Sequence, residues 1–268
     1  MNNFLQRTLS GAFYVLVVVM CILFGQKSFL ALLFLINAIC LNEFFGLMLK
    51  NKNTFDKILS VLAGSLVFVV LSSNDFFSVE TNWIIPAFSI LFLVKLYQNK
   101  GNEFETLAQQ ILGIFYITLP LALFFNLSNM PHFSFHPELP MGIFILQWTS
   151  DTGAYLIGKS FGRHKLFERI SPKKTWEGFL GAIALVILTA FVLTQFQFFG
   201  TYTLQNWIII GLLISIFGTL GDLFESLLKR NLKIKDSGNI LPGHGGALDR
   251  FDAFFFSVPA VYFYLSLI

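Results

Sequence analysis

Residues 221–252, GDLFESLLKRNLKIKDSGNILPGHGGALDRFD, concentrate the side chains that could do chemistry in a chain with few charges. Five of the 15 acidic residues fall in this charged stretch, with basic residues between them. Asp222 shares a helix face with the bases two turns further on, because residues three or four apart are neighbours on a helix. Asp249 and Asp252 are also three residues apart. The spacing predicts two acidic helix faces close to the membrane boundary.

The carboxylates of Asp222, Asp249 and Asp252 could converge if the two helices that carry them are neighbours. Carboxylates brought together repel one another unless a cation lies between them. Oxygen ligands without cysteine or paired histidine favour Mg²⁺ over zinc. The spacing leaves an alternative equally open, which is an interfacial ion network of these acids with nearby bases, namely Lys229, Arg230 and Arg250.

Residues 242–246, PGHGG, are called the glycine turn here and cannot be helical. Successive glycines let backbone N–H groups point into one concavity, which is typical of an anion-binding nest. Gly243, Gly245 and Gly246 would supply the donors, and His244 would contact a phosphate or donate a proton. A nest beside carboxylates and several bases indicates a site that binds metal and phosphate together.

A second group of charges occupies residues 159–178, KSFGRHKLFERISPKKTWEG. Lys173 and Lys174 follow a proline and lie just before an apolar run, so we expect them in a turn at the start of a helix. Two cations there suit a phosphate. The plainer alternative is a positive anchor for the following helix, and these residues considered alone favour it.

Asp151 lies inside an apolar run, ILQWTSDTGAYLIG, and an intramembrane aspartate usually faces a polar cavity. Tyr155 could line the same cavity. Gly153 and Gly158 would permit close approach of a neighbouring helix.

The elements that position these residues are apolar helices. The chain is 55% hydrophobic and 12% charged with a mean hydropathy of +0.71, whereas soluble domains contain about 25% charged residues. The apolar runs are continuous rather than alternating, so they indicate helices and not a barrel. We therefore predict an all-α, polytopic integral membrane protein with about nine transmembrane helices, near residues 8–25, 29–49, 57–73, 82–97, 106–127, 140–158, 177–198, 206–226 and 250–268.

The basic residues predict the orientation, because cytoplasmic connections carry the positive excess. With nine helices, Lys27 is the one base on the opposite side. The N-terminus should therefore be cytoplasmic, the C-terminus outside, and the site should face the cytoplasm from a bacterial inner membrane. Residues 1–130 would form a scaffold of five helices, and residues 131–268 would carry the site. Cys21, Cys40, His132 and His136 are interpreted as structural or surface residues.

Residues 226–252 resemble phosphatidate cytidylyltransferases, the CDP-diacylglycerol synthases, in a Ser, a KR pair, a KD pair, PGHGG, DR and a final Asp. SPKKTWEG at 171–178 and DTGAYLIGKSFG at 151–162 are similar to the upstream segments of that family, with a mild departure at Thr152-Gly153. The resemblance covers the C-terminal 120 residues or so. It implies catalytic roles for Asp222, Asp249, Asp252, His244 and Arg250, and substrate-binding roles for Ser171, Lys173, Lys174, Glu177, Ser226, Lys229, Arg230, Lys235, Asp236, Gly243, Gly245, Gly246, Asp151 and Tyr155.

The reaction that the resemblance implies joins CTP and phosphatidic acid to give CDP-diacylglycerol and pyrophosphate, with Mg²⁺ as cofactor and a second metal ion left open. Asp222, Asp249 and Asp252 would hold the metal, and the bases would neutralise the phosphates. We expect membrane lipid but no nucleic acid as a partner, and the small residues in the spans permit a homodimer. Two alternatives stay open, a CTP-dependent enzyme that acts on another lipid, such as a polyprenol kinase, and a polytopic cation transporter.

Overall fold

The structure, a computed structural model, describes residues 3–49, 54–72, 81–99, 101–130, 135–238 and 245–268. Nine helices lie in these ranges, and each overlaps one predicted apolar run. The all-α fold class is therefore confirmed. In chain order the helices are α1 Asn3–Leu23, α2 Gln26–Met48, α3 Thr54–Ser72, α4 Ile84–Tyr97, α5 Glu103–Leu127, α6 Glu138–Phe161, α7 Trp176–Leu193, α8 Leu204–Asn231 and α9 Leu248–Leu265.

Five of these helices, α2, α3, α5, α7 and α8, are long and apolar enough to cross a membrane. Ser10–Leu23 within α1 and the whole of α4 are shorter apolar helices. In the part of the chain that the structure describes, α6 and α9 are the helices outside both groups, and they carry Asp151, Asp249 and Asp252. These helices therefore combine an apolar body with the charges that the sequence singles out.

One face of α7 is apolar and exposed, as expected of a surface that contacts lipid. Leu180, Leu188 and Phe191 recur at helical spacing and are 60%, 57% and 53% exposed. Exposed apolar side chains that share one helix face favour contact with lipid or another protein. Together with the long apolar helices, this face indicates an integral membrane protein. The number of membrane crossings and the side of each end stay predictions.

The chain forms two compact units. The N-terminal unit contains Met1–Phe133 and Asp236–Arg250, and the C-terminal unit contains Ser134–Lys235 and Phe251–Ile268. The part of the charged stretch from residue 236 to residue 250 therefore packs with the first five helices. This arrangement places one portion of the candidate site residues in each unit.

The core of the N-terminal unit is aromatic near α2 and aliphatic near α4. Phe29, Phe44, Phe45, Phe124 and Phe125 on α2 and α5 are at most 1% exposed. Phe29 packs edge-on against Phe124, with ring centroids 5.4 Å apart. A second cluster joins α3, α4 and α5 through small and branched side chains. These contacts hold α2 in place, and the same helix carries a buried acid, Glu43.

Polar groups also lie inside the N-terminal unit. Lys95 on α4 and Asp56 on α3 form an ion pair with Nζ and Oδ1 2.7 Å apart, and their side chains are 5% and 1% exposed. Gln98 donates to the same Asp56 oxygen at 2.9 Å. The buried charge of each partner is therefore compensated within the unit.

The C-terminal unit depends on close contact between α6 and α7. A Cβ atom at Gly178 would lie 2.8 Å from the Ala154 carbonyl oxygen and 3.1 Å from the Gly158 Cα. At Gly153 a Cβ atom would lie 3.0 Å from the Ala182 Cα. The predicted close approach at Gly153 and Gly158 is confirmed.

A short hairpin connects α6 to α7, where the sequence predicted a turn. Strand β1 (Lys165–Phe167) pairs antiparallel with β2 (Ser171–Thr175), with Lys165 opposite Thr175 and Phe167 opposite Ser171. Thr175 then caps α7, since its Oγ1 accepts the Gly178 N–H at 3.2 Å. Strands of three and five residues are too short for a clear alternation of polar and apolar side chains, so the hairpin was missed.

Candidate functional site

In the C-terminal unit, Lys174 and Asp222 form an ion pair. The Lys174 Nζ lies 2.7 Å from the Asp222 Oδ2, and the side chains are 24% and 38% exposed. Lys174 is on β2, so the hairpin presents this base to α8. The sequence did not predict the hairpin. The pair joins a residue of the upstream basic loop to the first acid of the charged stretch. The sequence predicted both segments on the same side of the membrane but did not predict this ion pair.

Asp252 on α9 lies in the same acidic surroundings. The carboxylates of Asp222 and Asp151 act electrostatically on it, and the Glu225 side chain is within hydrogen-bonding reach. Gly221 permits this approach of α8 to α9, because a Cβ atom there would lie 3.1 Å from the Ala253 Cα and would overlap the Asp252 carbonyl oxygen. Several carboxyl groups of the C-terminal unit therefore influence one another, and the Lys174 ammonium group supplies a positive charge at their edge.

The remaining predicted residues of α8 follow the face that Asp222 begins. Ser226 donates to the Asp222 Oδ1 at 3.3 Å. Lys229 pairs with the buried Glu225 one turn earlier, with Nζ and Oε2 3.2 Å apart. Arg230 is exposed at the last turn. The ion network that the sequence left open is thus present in part, although the partner of Asp222 is Lys174 and not a base of α8.

Glu177 has contacts of its own in the hairpin. Its carboxylate accepts the N–H groups of Arg163 and His164 at 3.0 and 3.2 Å, and it lies 2.6 Å from the His164 Nδ1. These bonds fasten the start of the hairpin to the first turn of α7. Glu177 therefore holds the loop that carries Lys173 and Lys174, and its predicted contact with substrate stays a prediction. Lys173 is exposed on β2.

Asp151 and Tyr155 lie on α6 and are exposed. The Asp151 Oδ1 accepts a hydrogen bond from the Gln147 Nε2 at 3.2 Å. The Lys159 ammonium group lies 5.6 Å from the centre of the Tyr155 ring. Both residues keep an accessible polar surface on this helix, as a role in lining a cavity requires.

In the N-terminal unit, Asp249 organises the start of α9. Its Oδ2 accepts the Ser237 N–H at 3.0 Å, the Ser237 hydroxyl at 3.0 Å and the Gly246 N–H at 2.9 Å. Gly245 has a φ of +83°, and a Cβ atom there would lie 2.7 Å from the same oxygen, so glycine is required at this position. The N–H of Gly246 therefore donates to the protein's own Asp249, and the nest for a substrate anion stays a prediction.

A second acid lies beside this arrangement and was not predicted. Glu43 on α2 is 7% exposed and accepts the N–H groups of Ala247 and Leu248 at 3.0 and 2.9 Å. An acidic residue inside an apolar run is the signal that could have found it, because the same signal identified Asp151. Ser237, which bridges the two acids, gave no sequence signal.

Other predicted residues have fewer described contacts. Lys235 and Asp236 are exposed after the end of α8, and Arg250 is exposed in the first turn of α9. The structure places Ser171 at the beginning of β2, half-buried. Gly243 and His244 lie outside the described residues, as does His132. His136 lies 3.1 Å from the Glu138 carboxylate, which agrees with a structural role.

The donors suit a hard divalent cation in chemical type. Among the described residues no group of three or more His, Cys, Asp or Glu side chains is arranged to hold a metal ion. Mg²⁺, however, is usually bound by one or two carboxylates together with substrate phosphates and water. Asp222 and Asp252 interact electrostatically and meet that smaller requirement, and Asp222 already pairs with the Lys174 cation.

Comparison with known proteins decides the family. The model of the cytidylyltransferase family matches residues 5–268. The chain belongs to the cytidylyltransferase family. The match begins in α1, so the relationship includes the first five helices, which resembled the family only in hydrophobicity.

Two relatives match the chain along nearly its whole length, and a third matches less than half of it. A phosphatidate cytidylyltransferase of Bacillus subtilis strain 168 is 36% identical over 271 positions, which cover 98% of this chain and 97% of that protein. A phosphatidate cytidylyltransferase of Staphylococcus haemolyticus strain JCSC1435 is 32% identical over 257 positions, covering 94% and 95%. One from Staphylococcus aureus strain COL is 49% identical over 118 positions, covering 43% of this chain and 44% of that protein. The predicted resemblance is confirmed.

Proposed function

We propose that the protein is a phosphatidate cytidylyltransferase, which transfers CMP from CTP to phosphatidic acid and so makes CDP-diacylglycerol for phospholipid biosynthesis. The observation that carries the proposal is the family match over residues 5–268, with relatives of that activity over nearly the full length. The ion pair of Lys174 with Asp222 adds support, because it combines a base for phosphate with an acid for a metal ion.

In the reaction, an oxygen of the lipid phosphate attacks the α-phosphorus of CTP. The new O–P bond forms as the bond between the α-phosphorus and the bridging oxygen breaks, and pyrophosphate leaves. The attacking oxygen is already anionic, so little general-base help is needed. The main requirements are neutralisation of two anions and their alignment.

The basic residues singled out in the sequence are proposed to neutralise these charges. Lys174 would exchange its contact with Asp222 for a phosphate oxygen of CTP when the nucleotide binds, and Lys173 lies next to it on β2. Lys229 and Arg230, at the last turn of α8, would neutralise the lipid phosphate or the leaving pyrophosphate. Arg250 is proposed for bidentate contact with phosphate, which arginine provides better than lysine.

Asp222 and Asp252 are proposed to hold Mg²⁺, and Asp249 stays a further candidate ligand on the sequence. When bound, the ion would neutralise charge on the triphosphate and favour departure of pyrophosphate. Without it, these acids would repel the nucleotide, which is the reason to propose a cation beside the carboxylates that interact with Asp252.

The site is proposed to face the cytoplasm, where CTP is available, from the inner membrane of a bacterium. The distribution of Lys and Arg supports this orientation, since cytoplasmic connections carry the positive excess. The acyl chains of phosphatidic acid can then stay in the inner leaflet. A homodimer stays a prediction, which the mass of the purified particle in detergent would test.

The experiment is incubation of the purified protein with phosphatidic acid in detergent micelles, CTP and MgCl₂, followed by mass spectrometry of the lipids. We expect a CDP-lipid that disappears when EDTA is added and returns with excess Mg²⁺. Absence of this product from folded protein would refute the proposed function. Full activity in EDTA would refute only the metal dependence. In sealed vesicles with known protein orientation, external CTP should be used only by molecules whose cytoplasmic side is outward.

A further inference from the structure

Glu43 is a buried acid whose two oxygens are both used at the start of α9. The Oε1 accepts the Ala247 N–H at 3.0 Å. The Oε2 accepts the Leu248 N–H at 2.9 Å and lies 3.3 Å from the Ser237 hydroxyl. All these groups belong to the N-terminal unit. A residue of α2 is therefore the hydrogen-bonding partner of a backbone segment that lies far away in the sequence.

The first N–H groups of a helix have no partner within the helix and need one from elsewhere. A nearby Ser, Thr, Asp or Asn usually provides it. Here α9 begins at Leu248, and Glu43 supplies the acceptor from another helix. Its negative charge also interacts favourably with the N-terminal end of the helix dipole. The position at which α9 begins is thus set in part by α2.

The same acid reaches Asp249 through one side chain. The Ser237 hydroxyl lies 3.3 Å from the Glu43 Oε2 and 3.0 Å from the Asp249 Oδ2. The Ser237 N–H also donates to that Asp249 oxygen, at 3.0 Å. Ser237 therefore connects the acid of α2 to the acid that opens α9.

Two glycines leave the space that Glu43 occupies. A Cβ atom at Gly238 would lie 2.5 Å from the Glu43 Oε1. At Gly246 a Cβ atom would overlap both the Ser237 hydroxyl and the Glu43 Oε2. The backbone on both sides of Glu43 is thus shaped around its carboxylate.

We propose that Glu43 is a positioning residue for the nucleotidyl transfer, which it serves by fixing Asp249 and the backbone of Gly246–Leu248 in place. The inference rests on the proposed function. It gives α2 a role beyond scaffolding. In this role Glu43 acts through Ser237 and the backbone N–H groups rather than by direct contact with a substrate.

Glu43→Gln tests the proposal with a side chain of the same size. The amide has one acceptor oxygen, so its NH₂ group must face one of the two N–H groups that Glu43 now accepts. We expect kcat/KM for CTP to fall on the order of 10²-fold, as small displacements of site residues can cause. The KM for phosphatidic acid should stay within about twofold, because Asp249 is a candidate ligand of the metal ion proposed to bind the CTP phosphates. Glu105→Gln is the matched control, since Glu105 is an exposed acid of the same unit.

Amide hydrogen exchange gives a readout that does not depend on activity. In Glu43→Gln the amides of Ala247 and Leu248 should exchange faster, while those in the middle of α2 should be unchanged. Ser237→Ala should lower kcat/KM for CTP as well. In the double variant Glu43→Gln/Ser237→Ala, kcat/KM for CTP should fall by less than the product of the two single-variant losses, because both side chains act on Asp249.

Wild-type kcat and KM for CTP in Glu43→Gln would overturn the proposal. So would a loss of activity that merely follows a lower folded fraction with an unchanged KM for CTP, since that would be a stability role. If Glu43→Gln does not fold, Ser237→Ala decides in the same way. If the wild-type protein made no CDP-lipid, the proposed function would fail, but faster exchange at Ala247 and Leu248 in Glu43→Gln would still support the positioning contact and unchanged exchange would overturn it.

Discussion

The ion pair between Lys174 and Asp222 allows a functional role to be separated from a structural one. Its Nζ to Oδ2 distance is 2.7 Å, but the side chains are 24% and 38% exposed, so solvent screens the attraction. Pairs this exposed contribute about 1 kcal/mol or less to stability. For a chain of this size, that corresponds to a Tm change of about 4 °C or less. Loss of the pair as a structural element should therefore be a small effect.

Loss of the same groups as parts of the site should be a large effect. If Asp222 holds the metal ion and Lys174 neutralises CTP, Asp222→Asn and Lys174→Met should each lower kcat by on the order of 10²- to 10³-fold. Both replacements keep the approximate size of the side chain. The CDP-lipid assay and thermal unfolding in detergent, on the same preparations, measure the two effects side by side.

The double variant Lys174→Met/Asp222→Asn distinguishes the two roles most clearly. It leaves neither charge without its partner, so its Tm should lie close to that of the wild type. Its activity should stay as low as that of whichever single variant is less active. Recovery of activity together with stability in the double variant would refute the reasoning, because it would mean that the pair only holds β2 against α8.

Three further predictions concern the rest of the described chain. Lys95→Met should lower the free energy of unfolding by about 3 to 5 kcal/mol, because it leaves a charged Asp56 side chain that is only 1% exposed. The KM for CTP should stay unchanged, and a Tm near the wild-type value would contradict the prediction. Gly178→Ala should lower the free energy of unfolding by about 1 to 3 kcal/mol, because the new Cβ atom would lie 2.8 Å from the Ala154 carbonyl oxygen. Wild-type stability in this variant would contradict the prediction and would show that α6 and α7 can separate at no cost. Burial, with a smaller effect of Glu138, raises the pKa of Tyr202 to about 12. The contribution of this tyrosine to stability is therefore full below pH 10, its ordinary pKa, and is lost as the pH rises through 12. The free energy of unfolding of Tyr202→Phe should fall less steeply over this range than that of the wild type, and equal slopes would refute the raised pKa.

The helices could be predicted because long continuous apolar runs indicate membrane helices. Their ends were harder to predict where polar residues continue a helix beyond its apolar part. The run at 206–226 predicted a helix that in fact continues to Asn231. Lys229 and Arg230 lie in that last turn, where positive side chains interact favourably with the helix dipole.

The candidate site could be predicted in its residues more than in its pairings. Asp222 and Lys174 were both identified from the sequence, but their contact depends on the hairpin that brings β2 to α8. Gly246 was expected to offer its N–H to a substrate phosphate, whereas Asp249 accepts it. No local pattern encodes such long-range contacts, because they follow from how the helices pack.

Glu43 shows a different kind of omission. It lies in an apolar run, and the rule that identified Asp151 applies to it equally. What no sequence rule supplies is its partner, since a glutamate on α2 could as well face a base or another acid. The contact with Ala247 and Leu248 appears only when the N-terminal unit is folded around residues 236–250.

The fate of labelled CTP phosphates tests the proposed reaction most directly. With phosphatidic acid and Mg²⁺, label in the α-phosphate should enter the lipid, and label in the γ-phosphate should leave as pyrophosphate in equal amount. Label from the γ-phosphate in the lipid, with release of CDP, would instead identify a CTP-dependent lipid kinase and contradict the proposed nucleotidyl transfer.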